Sequence, residues 1–140
     1  MAECHSRYSH CFFLYVFFEL VFLIVLAGVG STFFTVFALP NIRTSSDRNV
    51  IGSYIICVLV GVFCFYLSPV IVSGGVAIGI AAFLMVTTDT EHPLAAGVAL
   101  GLSITPVADN LSAGAIFAIT GALLAILLKH ILNHWLKDLT

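Results

Sequence analysis

The chain has 140 residues, of which 61% are hydrophobic and only 9% charged, and its mean hydropathy is +1.15. Soluble domains carry about 25% charged residues, so a water-covered surface is excluded and most of the outer face must meet lipid. The net charge is −2 and the five basic residues, Arg7, Arg43, Arg48, Lys129 and Lys137, are dispersed, which excludes nucleic acid as a partner.

In chain order, these features predict one polytopic membrane domain over residues 1–140. It is all-α, with about four transmembrane helices plus one or two short broken or re-entrant half-helices. Residues 1–11 form an N-terminal tail in which Cys4, His5, His10 and Cys11 match no common zinc spacing. The bundle occupies 12–128. Its first apolar run, Phe12 to Leu39, is too long for one upright helix and too short for two. Either one tilted helix fills it, or a helix over 12–28 breaks at Gly28 and Gly30 and a half-helix follows over 31–39. A cleaved signal peptide is disfavoured, because the run is longer than a signal core and contains Glu19. Glu19 lies either at the interface or at a functional depth.

Residues 40–50 are polar and predict a loop. Spans follow over about 51–67 and 70–86, separated by the turn Ser68-Pro69, which makes them antiparallel neighbours. The polar stretch Thr87 to Pro93 then leads into a short apolar run, Leu94 to Ile104, closed by Thr105-Pro106. Eleven helical residues reach only about 16 Å, which cannot cross a core of about 30 Å. The run is therefore a re-entrant half-helix or half of a broken one. If it returns to its own side, both ends of the chain share a side, with Arg7, Lys129 and Lys137 against Arg43 and Arg48, which marginally favours cytoplasmic ends. The last span covers about 111–128. Residues 129–140 alternate apolar and polar positions and predict an amphipathic tail with Trp135 at headgroup depth.

The segment Thr87 to Gly97 concentrates the candidate chemistry. It holds three threonines, two carboxylates and His92 between apolar runs. Pro93 suits the first turn of a helix, so a helix beginning near His92 would direct free amides at an anion. Polar groups at membrane depth persist where they are buried in protein or line a wet path. The candidate substrate-binding residues are His92, Pro93, Gly97, Thr88 and Thr90, with Arg48, Asn49, Ser31 and Thr32 as companions. His92 could also titrate and couple a proton. Gly75-Val-Ala-Ile-Gly79 and Gly97-Val-Ala-Leu-Gly101 predict close helix packing, within the chain or between copies of it. Asn49 with Gly61, and Asn110 with Gly121, form a faint repeat in which each half follows a proline-ended segment, a pattern found in transporters. Arg43, Asp47 and Arg48 read as a solvated loop rather than a channel mouth. His130 and His134 read as an interfacial face rather than a metal pair. Cys57 and Cys64, seven residues apart, are too distant for a bridge within one helix. No nucleophile elbow, phosphate loop or Cys-x-x-Cys is present, so no enzyme is expected, and no cofactor or metal.

These residues also carry a family resemblance. Asp47-Arg48-Asn49-Val50-Ile51-Gly52, followed by spans and then by His92-Pro93-Leu94-Ala95-Ala96-Gly97, resembles the HPP family of integral membrane proteins. Gly30-Ser31-Thr32-Phe33 through Phe37-Ala38-Leu39-Pro40 resembles that family's first helix. The similarity covers about 28–128. It implies about four spanning helices and transport, in some members of nitrite. The matched positions are Arg48, Asn49, Gly52, His92, Pro93 and Gly97. Leu94 stands where the family has a second proline, and Ser53-Tyr54 where it often has Gly-His. Asp89 and Glu91 would repel an anion. The expectation is a small transporter or channel for an inorganic ion such as nitrite, homo-oligomeric, in the lipid bilayer of the cell membrane. The alternative is a non-transporting membrane subunit that packs against a partner.

Overall fold

Lipid offers no hydrogen bonds, so a backbone that crosses it must bond within itself, and an apolar chain of this kind does so as helices. The computed structural model describes residues 2–67, 69–105 and 108–137. The side chains of residues 2–14, 17, 18, 108, 109 and 134–137 lie outside the described set, and with them the readings made above for Cys4, His5, His10, Cys11, His134 and Trp135. The turn residues Ser68 and Pro106 lie outside it altogether. Five α-helices are described: α1 (Ala2–Ala38), α2 (Asp47–Phe65), α3 (Val70–Thr87), α4 (Ala96–Ser103) and α5 (Ala108–Lys137). Single 3₁₀ turns at Arg43–Ser45 and Pro93–Ala95 precede α2 and α4. Four helices contain stretches long and apolar enough to span a bilayer: Glu19–Ala38, Asp47–Phe65, Val70–Thr87 and Asn110–Asn133.

The first apolar run is one element. α1 passes unbroken through Gly28 and Gly30 and extends back to Ala2, because a break inside lipid would strand backbone groups. Gly28 serves packing instead. A methyl there would stand 3.2 Å from the Leu94 carbonyl oxygen, so its absence lets α4 approach. The polar loop is shorter than expected. α2 begins at Asp47, with Ser46 as its N-cap accepting from the Asn49 amide. At the other end of the chain α5 runs without interruption to Lys137, so residues 129–137 continue the last helix.

Side-chain contacts fix the depth of each helix. Lys129, near the end of α5, donates to the Ser45 carbonyl at 2.8 Å, so the end of α5 and the start of α2 share a face. We refer to it as the arginine face, after Arg43 and Arg48. The Ser73 hydroxyl near the start of α3 contacts the carbonyls of Cys64 and Ser103, so the end of α2, the start of α3 and the end of α4 lie toward the opposite face. Gly28 meets the beginning of α4, whereas Val21 and Val25 meet Gly101. α4 therefore descends antiparallel to α1 and does not return to the face it left. The start of α1 and the end of α5 lie on opposite faces, which corrects the expectation that both ends share a side.

α4 is the hub, packed against α1, α2 and α3 and touching α5. Val98, Ala99 and Leu102 on it are fully buried. Small residues let its neighbours close in. Gly61 of α2 lies against Ala99 and Leu102, and Gly114 of α5 lies against Leu102. Gly121 of α5 meets Val29 of α1. The two halves of the faint repeat thus run in opposite senses: α2 packs on α4 through Gly61, and α5 packs on α1 through Gly121. The Gly75–Gly79 face behaves otherwise. Both glycines have open space around them, so within the chain this face packs nothing, and Ser73, Gly74, Ala77 and Ala81 form the inner side of α3.

Candidate functional site

α3 ends on the arginine face in a Schellman motif. The Thr90 amide donates to the Met85 carbonyl at 3.0 Å and the Asp89 amide to the Val86 carbonyl at 3.3 Å. Asp89 holds the left-handed conformation, with φ 56°, which aspartate tolerates better than most residues. The chain then turns inward through three residues outside any helix or strand, Thr90 to His92, before Pro93 starts the 3₁₀ turn. Three such residues reach at most about 10 Å and the eleven that follow about 16 Å. Together they approach the core thickness of about 30 Å. The segment is therefore a fourth crossing that is helical over only its deeper part, flanked by α1, α2 and α3.

His92 sits at the break and has no exposed surface. Its Nδ1 lies 2.7 Å from the Thr44 carbonyl oxygen in the turn above. A carbonyl only accepts, so Nδ1 carries the hydrogen. Its Nε2 lies 2.9 Å from the Thr32 hydroxyl of α1. That hydroxyl also reaches the Gly28 carbonyl at 2.9 Å and the Tyr54 hydroxyl of α2 at 2.8 Å, and Tyr54 approaches the same Gly28 carbonyl at 3.3 Å. Thr32, Tyr54 and His92 are all buried. Four segments are joined here by one hydrogen-bonded chain at membrane depth.

A second layer lies toward the arginine face. Asn49, the third residue of α2, donates through Nδ2 to the Arg43 carbonyl at 3.0 Å and to the Glu91 carbonyl at 3.5 Å. The latter bond satisfies the carbonyl of a residue that lies outside any helix. The Thr88 and Thr90 hydroxyls bond each other at 2.7 Å, and Thr90 fills the space that a side chain on Gly52 would take. Outermost, Arg43 pairs with Asp89. Arg48 lies 4.0 Å from the same carboxylate and donates to the Thr88 carbonyl at 3.3 Å. Two arginines thus share one aspartate, so the repulsion expected from Asp89 is offset locally. Asp47 accepts from Lys129 at 3.0 Å and contacts His130 at 2.6 Å, which ties α5 to the start of α2.

Of the nine predicted site residues, His92, Thr32, Asn49, Thr88, Thr90 and Arg48 gather in these two layers. Ser31 does not join them; its hydroxyl returns to the Ala27 carbonyl at 2.7 Å. Pro93 is exposed, and Gly97 faces Gly28 across the α1–α4 contact. Most of the amides after His92 are taken: Pro93 has none, and those of Ala95 and Ala96 bond the His92 and Pro93 carbonyls. Tyr54 and the Thr44 carbonyl are not among the predicted site residues; the sequence singles out Tyr54 only as standing where the resembled family often has histidine.

A cleft of about 210 Å³ between α3 and the Pro93–Ala96 stretch is bounded by Met85, Val86, Glu91, Ala96 and His92. Among the described residues no cluster of three metal-ligating side chains occurs. In comparisons with known proteins, the family model described as "HPP, transmembrane region" matches residues 6–138. No curated protein and no solved structure matches the chain.

Proposed function

The chain belongs to the HPP transmembrane family, and from that premise we propose that it is a small transporter or channel for an inorganic ion, with nitrite or a similar anion as substrate. The observation that carries this reading is the break in the fourth crossing. A buried polar chain through His92, Thr32 and Tyr54 lies at the meeting of four segments, where an uninterrupted apolar helix would serve a purely structural role better. Helical pairs of opposite sense that meet around a discontinuous segment are the arrangement on which alternating access is built. Arg43 and Arg48 share the single carboxylate of Asp89 and leave one positive charge in excess on the face nearest His92, which suits an anion. The cleft bordered by Glu91, His92 and Ala96 is the route we assign to it.

The outward Gly75–Gly79 face supports a homo-oligomer of this chain in the cell membrane, since small residues on a lipid-facing helix permit close association. The same face would serve a heterologous partner if the chain were a non-transporting subunit. Proteoliposomes containing the purified protein test the proposal. Nitrite or nitrate is expected to equilibrate faster than in empty vesicles, and His92→Ala is expected to slow it. Equal rates for protein-containing and empty vesicles would overturn the reading.

A further inference from the structure

The hydrogen-bonded chain at His92 closes in two ways without moving a heavy atom. With His92 neutral, Nδ1–H donates to the Thr44 carbonyl and Nε2 is a bare acceptor. The Thr32 hydroxyl then donates to Nε2, and the Tyr54 hydroxyl donates to Thr32 Oγ1. With His92 protonated, Nε2–H donates to Thr32 Oγ1, and the Thr32 hydrogen rotates onto the Gly28 carbonyl 2.9 Å away. Tyr54 keeps its bond. Every donor has an acceptor in both states, because the Gly28 carbonyl stands by as an alternative partner. The back-bond of Thr32 to the carbonyl four residues earlier is what lets the imidazole take a second proton without stranding a donor.

We propose that His92 is a proton-binding site whose occupancy is linked to that of the transported anion, so that one proton and one monovalent anion move together. The inference rests on the transport reading and adds its coupling ion. The proton adds to the Nε2 lone pair; no covalent bond is broken, and the Thr32–His92 hydrogen bond reverses its direction. The charge placed on the imidazole attracts an anion in the adjoining cleft, and a bound anion in turn favours the proton, since linkage is reciprocal. Other charged or titratable groups surround the pair. Arg43 lies on the turn above, and Asp47, Arg48, Tyr54 and Cys57 lie on α2. Asp89 follows α3, Glu91 borders the cleft, and Lys129 and His130 lie on α5. Asp89 is taken up by the two arginines, and Asp47 by Lys129 and His130. Glu91 is the carboxylate that borders the same cleft; we assign it as a relay that takes a proton from water on the arginine face, passes it to His92 and is reprotonated there, so that the imidazole charge is not cancelled by a carboxylate beside the anion.

Selective ¹⁵N-histidine NMR on the whole protein in nanodiscs tests this, with His92 assigned by its loss in His92→Gln. In wild type, His92 is expected to titrate at Nε2 while Nδ1 keeps its hydrogen. Sodium nitrite is expected to move the midpoint to higher pH by about 0.7 units or more relative to sodium gluconate, the shift corresponding to a roughly fivefold coupling. Thr32→Val is expected to weaken that linkage. A His92 signal that never changes protonation state, or a nitrite response equal to that of gluconate, would overturn the proposal. Anion flux without this linkage would retire the proton site alone, whereas absence of flux retires the transport reading on which it stands.

Discussion

Thr32 has one hydroxyl hydrogen and three polar neighbours, and that surplus makes it the pivot of the buried chain. Replacing it with valine keeps the shape but leaves Nε2 of His92 without a donor and deprives Tyr54 of its nearer partner. A buried polar group left unpaired costs about 1–3 kcal/mol. Thr32→Val is therefore expected to destabilise the protein by about that amount in detergent unfolding, while Thr32→Ser stays near wild type. At this scale much of the site was legible, since polar side chains in so apolar a chain are few and need a reason. His92, Thr32, Asn49 and Thr90 were identified in that way. The partners of His92 were not. A backbone carbonyl such as that of Thr44 carries no sequence signal, and Tyr54 looks like any aromatic in a spanning helix until α1 and α2 are placed side by side. Pro93 starts a helical turn as its type suggests, yet that turn takes up the Ala95 and Ala96 amides that an anion would use.

Helices in this chain are held by how closely their backbones approach, so the glycines sort by what they face. Gly61 lies against the backbone and side chains of α4, and a methyl there would stand 2.8 Å from Leu102 Cβ and 3.0 Å from the Ala99 carbonyl oxygen. Gly75 meets nothing. Gly61→Ala is expected to cost about 1–3 kcal/mol through overpacking, whereas Gly75→Ala is expected to change the stability of the isolated chain by no more than about 0.5 kcal/mol. Detergent unfolding of the two variants side by side distinguishes them. Length and hydropathy made α2, α3 and α5 readable, and the shortness of the run after His92 correctly set it apart from them. The sequence could not decide whether Gly28 breaks α1. A glycine in lipid is equally a hinge or a contact, and only the position of α4 shows which. The Gly75–Gly79 pattern is equally ambiguous in the sequence, which cannot separate packing within the chain from contacts between copies, and the fold turns it outward.

Across the whole molecule, the descent of α4 puts Arg43, Arg48, Lys129 and the end of α5 at Lys137 on one face, leaving Arg7 near the start of α1 on the other. Basic residues concentrate on the cytoplasmic side. The arginine face is therefore expected to be cytoplasmic, with the start of α1 outside. Reporter fusions after Thr140 and before Met1 check this, with the first expected to report an interior location and the second an exterior one. Hydropathy could not supply this orientation, because it depends on whether the fourth crossing returns or passes through.

The account depends most on water reaching the interior break beside His92. With the four native cysteines replaced by alanine, a cysteine at Ala96, on the cleft, can be compared with one at Gly79, on the outer face of α3. A charged thiol reagent that does not cross membranes is expected to label the Ala96→Cys protein in intact vesicles much faster than the Gly79→Cys protein, and nitrite is expected to slow that labelling. If both sites resist the reagent from either side of the membrane, the cleft is filled by lipid and no ion path runs through it.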